Sequence, residues 1–590
     1  MKFIILLLLA LPCQLINAQT FLESSQAMGI NHEHIDGHIM GGGAAFFDFN
    51  NDGFEDLYIT GGENRDQLFE NNQNGAFTEV GILAGIGMTD TIKTVGVITG
   101  DLDNDGDREI FVTTSEDHNN LLFLNNGDGT FTNISISAGF TANTWSTSSS
   151  FGDYDNDGFL DLYVGEYVNY FNVPFFNYMS AGTQNTLYHN EGNMTFTEVA
   201  VTANVNDNGG ALSTAFTDYD NDNDVDLLLG NDFGDLFGGN GLFRNDYPST
   251  YFTDISVSSD IYREINAMGI AVGDFDEDLY LDYYVTNMME NLFHENNGDQ
   301  TFNEVATSSG TESGNVVSWG TFFFDYDNDT YLDLFCASGG VMTAAVAQQN
   351  VLYANQQNGS FLDVTVTEGM DTIRRSRGAI YGDIDNDGAL EVVVVNVSAN
   401  GVFPQLTEVY KSSTVNNWIE FRLQGISSNR DGFGSHIRLV ADGRTFLREI
   451  GGGSSYLSQN SSIAHFGLDQ IPTIDSVIVT WPGGNESVYT AILINQRITL
   501  VEDIAGIEDL PSYDLTVYPN PAKKSIFCSL NDGAIIDIIE VYSMQGDLVL
   551  SELEVGSEEF NINLEHLPAS NYQLIIRSGN RTFSRKITTF

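Results

Sequence analysis

Seven short stretches of this chain place carboxylate or amide side chains at alternate positions, the arrangement that a hard divalent cation requires. In the first, DFNNDGFED, the residues Asp48, Asn50, Asp52 and Asp56 fall at positions 1, 3, 5 and 9, with Gly53 at position 6. The second repeats the pattern with Asp101, Asp103, Asp105 and Glu109, and the third with Asp153, Asp155, Asp157 and Asp161. The fourth has Asp218, Asp220, Asp222 and Asp226, and the fifth Asp274, Asp276, Asp278 and Asp282. The sixth has Asp325, Asp327, Asp329 and Asp333, and the seventh Asp383, Asp385, Asp387 and Glu391. Oxygens so spaced converge only if the backbone curls around a point, and a glycine at position 6 permits the positive φ of that curl. Four side-chain ligands, a backbone carbonyl near position 7 and water supply the six to eight oxygen contacts that calcium accepts. Magnesium demands stricter octahedral geometry, and zinc prefers histidine or cysteine ligands. The expected cofactor is therefore Ca²⁺, up to seven ions. Asp and Asn also cap tight turns, but turn formation does not require four carboxylates to crowd together in seven successive loops. Loops four, five and six carry Asn223, Leu279 and Thr330 at position 6. Leu and Thr resist a left-handed backbone, so weaker or altered sites are expected in the loops starting at Asp274 and Asp325.

The charge balance fits such loops. Across 590 residues, 82 Asp and Glu face 22 Lys and Arg, a formal net charge of −60. Such a surface repels polyphosphate and anionic lipid, which argues against nucleic-acid and membrane-surface partners. Disorder is excluded by composition, since 42% hydrophobic and 12% aromatic residues can build a core. Seven divalent ions would bring the formal charge from −60 to about −46, relieving repulsion where it is most concentrated.

The loops recur at intervals of roughly 50 to 65 residues, a near-constant period of the kind that marks a repeat architecture. Each lies between short runs of small, aromatic and β-branched residues that read as strands. Strand flanks exclude an EF-hand, which needs helices and a glutamate at position 12. Between the loops a second element recurs, as in LFLNNGDGTFTNI from Leu122, with Asn and Gly between two β-prone runs, the chemistry of a hairpin turn. One unit is thus four strands in roughly 55 residues, the size of a propeller blade. The seventh unit lacks its second hairpin, while the segment TFLESSQAMGI from Thr20 resembles the end of a unit. Ring closure by that N-terminal strand removes two open sheet edges. The expected fold is all-β: a seven-bladed β-propeller, then a β-rich domain and a small C-terminal β-sandwich.

At the acidic loops the chain resembles the FG-GAP/VCBS calcium-binding propellers, over residues 19–414. SNRDGFGSHIRL from Ser428, GGGSSYLSQNSSIAHFGL from Gly451 and IDSVIVTWPGGNES from Ile474 resemble the ASPIC/UnbV domain, placed at 415–502. Propeller plus ASPIC/UnbV is the layout of the cartilage acidic protein family, a resemblance that implies architecture more than mechanism. One departure is Ser435, where that family usually has alanine. After an acidic linker at 503–512, the motifs YPNPAKKSIF from Tyr518, IIEVYSMQGDLVL from Ile538 and the final segment from Leu564 resemble a type A C-terminal sorting domain, at 513–590. That resemblance implies a Bacteroidota source, engagement of the type IX secretion machinery and secreted or outer-membrane surface-attached localisation. Residues 1–18 read as a signal peptide, with Lys2 before an apolar run too short to span a bilayer. No other segment is long and apolar enough to cross a membrane. Cys336 and Cys528 fall in different domains and read as thiols rather than as a disulfide.

Other residues invite chemistry. His32, His34 and His38, with Glu33 and Asp36, suggest a transition-metal site or a polar loop between blades. Arg374, Arg375 and Arg377 form a basic cluster that either offsets nearby carboxylates or meets an anionic glycan. Ser454, Ser455 and His465 tempt a nucleophile reading, but no G-x-S-x-G elbow accompanies them, so no catalytic residue is assigned. The leading expectation is a secreted calcium-binding propeller acting as a binding or adhesion module for polysaccharide or extracellular protein. The alternative is a calcium-dependent polysaccharide lyase or hydrolase, and the blandest reading is an acidic shell that serves solubility alone.

Overall fold

A computed structural model of the chain describes residues 19–502, except 38–39, 116–117, 168–182, 315, 342–346 and 399–403. It also describes 515–588, except 519–521, 531–534, 544–547, 558, 565, 569–570 and 579–580. The export signal expected at 1–18 and the linker expected at 503–512 lie outside the described residues.

Each repeat folds into one four-stranded antiparallel sheet. In the first, Ala44–Phe47 leads into the acidic loop, Asp56–Ile59 leaves it, and Gln67–Asn71 and Phe77–Glu79 form the Asn/Gly hairpin. Six sheets follow this order along the chain. The last combines Ser376–Gly382, Glu391–Ser398 and Glu408–Ser412 with the N-terminal strand Phe21–Glu23, Phe21 pairing with Ser412, and gains a fifth strand, His34–Ile35, parallel to Glu391–Ser398. The inner strands are buried on both faces, since each sheet is packed between two others, and they therefore read as continuous small and apolar runs rather than alternating ones. Glycines allow the inner strands to touch: a Cβ at Gly269 would lie 2.4 Å from the Trp319 carbonyl oxygen, and one at Gly378 2.3 Å from that of Gly42. The second of these contacts joins the last sheet to the first, so the sheets close into a ring.

A side-chain staple runs round the rim of this ring. The final Asn of each third strand donates from Nδ2 to its own acidic loop and to the loop of the preceding sheet: Asn296 to Leu281 O at 3.2 Å and Tyr219 O at 2.9 Å, for example. Asn71 reaches Ile384 O at 2.8 Å across the closure. The last sheet has Ser412 at this place, and Thr414 Oγ1 makes the equivalent link to Tyr326 O at 2.9 Å.

Residues 417–501 form two further sheets that share a core including Ile419, Phe421, Phe466 and Trp481. This unit lies over the acidic-loop end of the ring, and its segment Gly452–Ser461 runs into the central channel. There Phe151 N donates to Gly452 O at 3.0 Å, Val97 N to Leu457 O at 3.1 Å, Gln459 N to Ala44 O at 3.0 Å and Ser461 N to Tyr381 O at 3.1 Å. Ser455 exchanges backbone hydrogen bonds with Ile270, and its hydroxyl accepts from Thr321 N and donates to Ala379 O. At the far end Tyr456, fully buried, donates to Met40 O and meets Trp319 edge-on with centroids 5.0 Å apart. Residues 515–588 form two antiparallel sheets over a separate core including Ile526, Ile539 and Ile562, a small sandwich.

The chain itself thus occupies the channel, leaving a cavity of about 70 Å³ lined by residues that include Phe216, Phe323, Tyr381, Glu449 and Ser454. Tyr456→Ala is expected to destabilise the ring by about 3–5 kcal/mol, the cost of deleting a buried aromatic side chain. Urea unfolding followed by tryptophan fluorescence measures it, and an unshifted midpoint would show that the plug is not part of the core.

Candidate metal centres

The seven acidic loops fold alike. In each, the position-1 aspartate accepts two backbone N–H bonds, from positions 5 and 6; Asp48 takes them from Asp52 at 3.0 Å and Gly53 at 2.9 Å. The same pair of bonds recurs at Asp101, Asp153, Asp218, Asp274, Asp325 and Asp383. The position-9 carboxylate accepts from position 2 on one oxygen and from the last residue of the third strand on the other, as Asp56 does from Phe49 and Asn71. Glu109 and Glu391 make these same bonds despite the extra methylene.

Position 6 is left-handed in every loop, including Leu279 at φ 71° and Thr330 at φ 90°. Both loops therefore adopt the common backbone despite residues that resist it, and the strain, of order 1–3 kcal/mol for such a residue, is borne by the rest of the repeat. Position 4 is left-handed too, at Asn51, Asn104, Asn156, Asn221, Asn328 and Asn386 and at Glu277. Sequence reasoning missed this second bend, although asparagine in six of seven loops signals it.

Carboxylate oxygens within 4.8 Å of one another group Asp101, Asp103 and Glu109, then Asp153, Asp155 and Asp157, then Asp218, Asp220 and Asp226, then Asp274, Asp276 and Asp282. The position-3 aspartates Asp155, Asp220, Asp327 and Asp385 each have a solvent-inaccessible Oδ1 with no hydrogen-bond partner. Burial pushes Asp56 up to about 8 and Asp274 and Asp327 up to about 7, and the like charges of loop neighbours push the same way. Buried, unpartnered oxygens among crowded carboxylates fit a hard divalent cation. The ligand set is carboxylate throughout apart from Asn50 in the first loop, and the third loop has an imidazole beside it: His189 Nδ1 lies 3.2 Å from Asp161 Oδ1 and 3.6 Å from Asp155 Oδ2.

The domain at 417–501 answers these carboxylates with cations. Arg422 lies 3.2 Å from Asp48, Arg430 3.5 Å from Asp101 and Arg497 3.8 Å from Asp383, each a position-1 residue. Arg444 pairs with Glu277, and His465 Nε2 is 2.7 Å from Asn328 Oδ1. Asp218 N donates to Glu449 Oε1 at 2.8 Å, and Asp101 N to Asp431 Oδ2 at 2.8 Å. Buried Glu420 is held below the usual carboxylate range: burial raises it, and Arg497 at 2.7 Å with His465 at 3.2 Å outweighs burial. None of this docking was read from the sequence, although six arginines between 422 and 497, in a chain with 22 basic residues, were a signal.

The remaining candidates are structural. His32 and His34 are buried, their Nδ1 atoms 2.8 Å from Thr407 Oγ1 and 2.7 Å from Thr60 O, and burial, then the neighbouring His34, lowers His32 to about 3. They are core residues rather than a polar loop; His38 lies outside the described residues. Arg374 pairs with Glu408 at 2.9 Å, whereas Arg377 is buried over the face of Trp319 at 3.9 Å and donates to backbone carbonyls. Ser455 is committed to the plug, and Cys336 and Cys528 are buried free thiols.

Family profiles match three parts of the chain. The FG-GAP-like repeat matches 48–112, 101–164, 177–229, 274–336 and 325–394; ASPIC and UnbV matches 425–506; and a secretion system C-terminal sorting domain matches 516–589. Cartilage acidic protein 1 of Xenopus tropicalis is 25% identical over 440 residues, covering 70% of this chain and 64% of its own length. The Homo sapiens protein of that name is 26% identical over 280 residues, covering 44% and 40% respectively. The chain therefore spans less than two-thirds of these relatives. A solved Agrocybe aegerita lectin structure overlaps 55% of this chain and 79% of its own at 14% identity and TM-score 0.35, too slight a likeness to bear on function.

Thr330 offers a direct measure of loop strain, because its hydroxyl is also buried without a partner. Thr330→Gly is expected to stabilise the protein by about 1 kcal/mol in chemical denaturation; a loss of stability would show that the loop carries no strain there.

Proposed function

We propose that this chain, which carries FG-GAP-like repeats, an ASPIC and UnbV domain and a secretion sorting domain, is an extracellular binding module whose ring is stabilised by calcium. The single observation that carries the calcium assignment is the set of buried, unpartnered position-3 oxygens at Asp155, Asp220, Asp327 and Asp385. The residues proposed to hold the ions are those at positions 1, 3, 5 and 9 of the seven loops. When bound, the ion supplies positive charge at the point where carboxylates are most crowded. The chain's own contribution is to fix the oxygens: backbone N–H groups orient positions 1 and 9, and Arg422, Arg430 and Arg497 steady position 1 from above.

The sorting domain supports secretion or surface attachment, and among the described residues no helix is long and apolar enough to cross a membrane. The binding role is favoured over catalysis by the plug. In a ring of blades the axial channel is the natural place for convergent catalytic groups, and here Gly452–Ser461 occupies it. The acidic-loop face is covered by the same domain. Contacts with a polysaccharide or protein partner are therefore proposed on the outer rim and the opposite face.

Chelation tests the reading. Each independent site at a hundredfold excess of calcium over its Kd adds about 2.7 kcal/mol, so the melting temperature should fall steeply in excess chelator and recover on adding calcium. Metal analysis after dialysis should find several equivalents of calcium per chain. Identical melting curves with calcium and with chelator would overturn the assignment.

A further inference from the structure

The repeat provides its own control for what folding requires. Five of the six hairpins joining third and fourth strands turn through polar and glycine-rich residues such as NGDGT or QQNGS, except for Met194 in EGNMT, and each closes over five residues: Asn126 N donates to Thr130 O and Gln356 N to Ser360 O. The hairpin of the fourth sheet differs twice. It reads DYPSTY, one residue longer, with Asp246 N donating to Tyr251 O, and it carries two tyrosines. Tyr247 is 39% exposed, with its backbone N–H held by Asn245 Oδ1 at 3.0 Å. Its ring lies 5.8 Å from that of Tyr251 and 6.1 Å, edge-on, from that of Tyr154 in the third acidic loop. Tyr154 in turn meets His189, 6.1 Å away, the imidazole that distinguishes the third loop. Two independent departures from the repeat thus converge on one junction.

We propose that this junction of the third and fourth sheets is a binding site for neutral polysaccharide, with Tyr247 as the stacking platform. The proposal rests on the reading of the chain as an extracellular binding module and names its ligand class. A fixed aromatic face matches the C–H face of one sugar ring in size and in charge distribution, ring π-density against polarised C–H groups. Exposed Ser249 and Thr250 beside it donate their hydroxyl protons to Asp246 O and Tyr251 O, which leaves their oxygens free to accept from sugar hydroxyls, and Asp246 is paired with Arg244 at 3.0 Å. An isolated tyrosine pair is far too small for a stable protein interface, which buries about 800 Å² on each partner. The formal net charge of −60 disfavours uronate or sulfated chains.

Affinity electrophoresis of the full chain in calcium, through gels containing laminarin, mannan, xylan or alginate, tests this. The expected result is retardation of the wild type by at least one neutral polymer and none by alginate. Tyr247→Ala should weaken that retardation at least tenfold, while Tyr247→Phe, which keeps the ring, stays within twofold of wild type. Circular-dichroism melting of both variants should match wild type, since the ring is exposed. No retardation by any neutral polymer overturns the proposal; the calcium-stabilised module is judged separately by its melting curve. Retardation that survives Tyr247→Ala overturns this site and leaves a polysaccharide binder acting elsewhere. Retardation by alginate that depends on Tyr247 overturns the neutral assignment.

Discussion

Repulsion among buried carboxylates is the constraint around which this molecule is built. Each of the seven loops brings its acidic side chains to one end of the ring, and positions 1 and 9 are almost wholly withdrawn from water. A carboxylate there retains its charge only if something replaces hydration. Three replacements are at hand. Backbone N–H groups supply partial positive charge in every loop, arginines of the next domain supply whole charges to some, and the unpartnered position-3 oxygens leave room for a metal ion. The first two are insufficient, because burial still leaves Asp56 at about 8 and Asp274 at about 7. The third would place a full divalent charge among the carboxylates themselves, where the unpartnered oxygens of Asp155, Asp220, Asp327 and Asp385 lie.

The same constraint explains the position of the ASPIC and UnbV domain. A ring of sheets has an open channel and a charged end, and this domain addresses both. Its arginines meet position-1 aspartates from three loops, and its Gly-Ser-rich segment enters the axis, where small residues let its backbone hydrogen-bond to inner strands of several sheets. The cluster that contains Phe111, Phe151 and Leu162 of the ring continues into Phe433, Ile437 and Trp481 of the domain. Ring and domain therefore share a hydrophobic core, a charge network and an axial plug. Two modules so joined behave as one folding unit more than as beads on a string.

What was legible in the sequence was what is local. The acidic loops and the Asn/Gly hairpins are short-range patterns; the closure is long-range, Phe21–Glu23 pairing with Glu408–Ser412, and was legible only because the last repeat lacks a piece that the N-terminal segment resembles. The staple asparagines were visible as the ends of third strands, but their reach into the preceding sheet was not, because it depends on how the sheets pack. The docking of residues 417–501 onto the loops joins positions far apart in the chain, Arg422 and Asp48 being separated by 374 positions, and nothing in local spacing encodes such a pairing. Leu279 and Thr330 take up the left-handed backbone that the other loops give to Gly or Asn. Backbone preference at one residue is worth a kilocalorie or two, and a cooperative repeat with many fixed hydrogen bonds overrides it.

A repeat array makes one further kind of signal readable. Where seven units solve the same folding problem, the residues that every unit shares are those that folding needs, and a residue that one unit alone carries owes its presence to something else. Trp319 and Tyr456 are single occurrences explained by the plug, since one channel needs one filling. Ser412 is explained by Thr414, which takes over the missing staple. Lys411 is explained by Asp385, with which it pairs. Tyr247 is not explained in this way: the other hairpins turn without it, and its ring, partly exposed, lies at the rim against Tyr154 and Tyr251. A single exposed aromatic ring is ordinary on a protein surface; what sets Tyr247 apart is its place in the one hairpin that is a residue longer, against the one acidic loop that has an imidazole beside it.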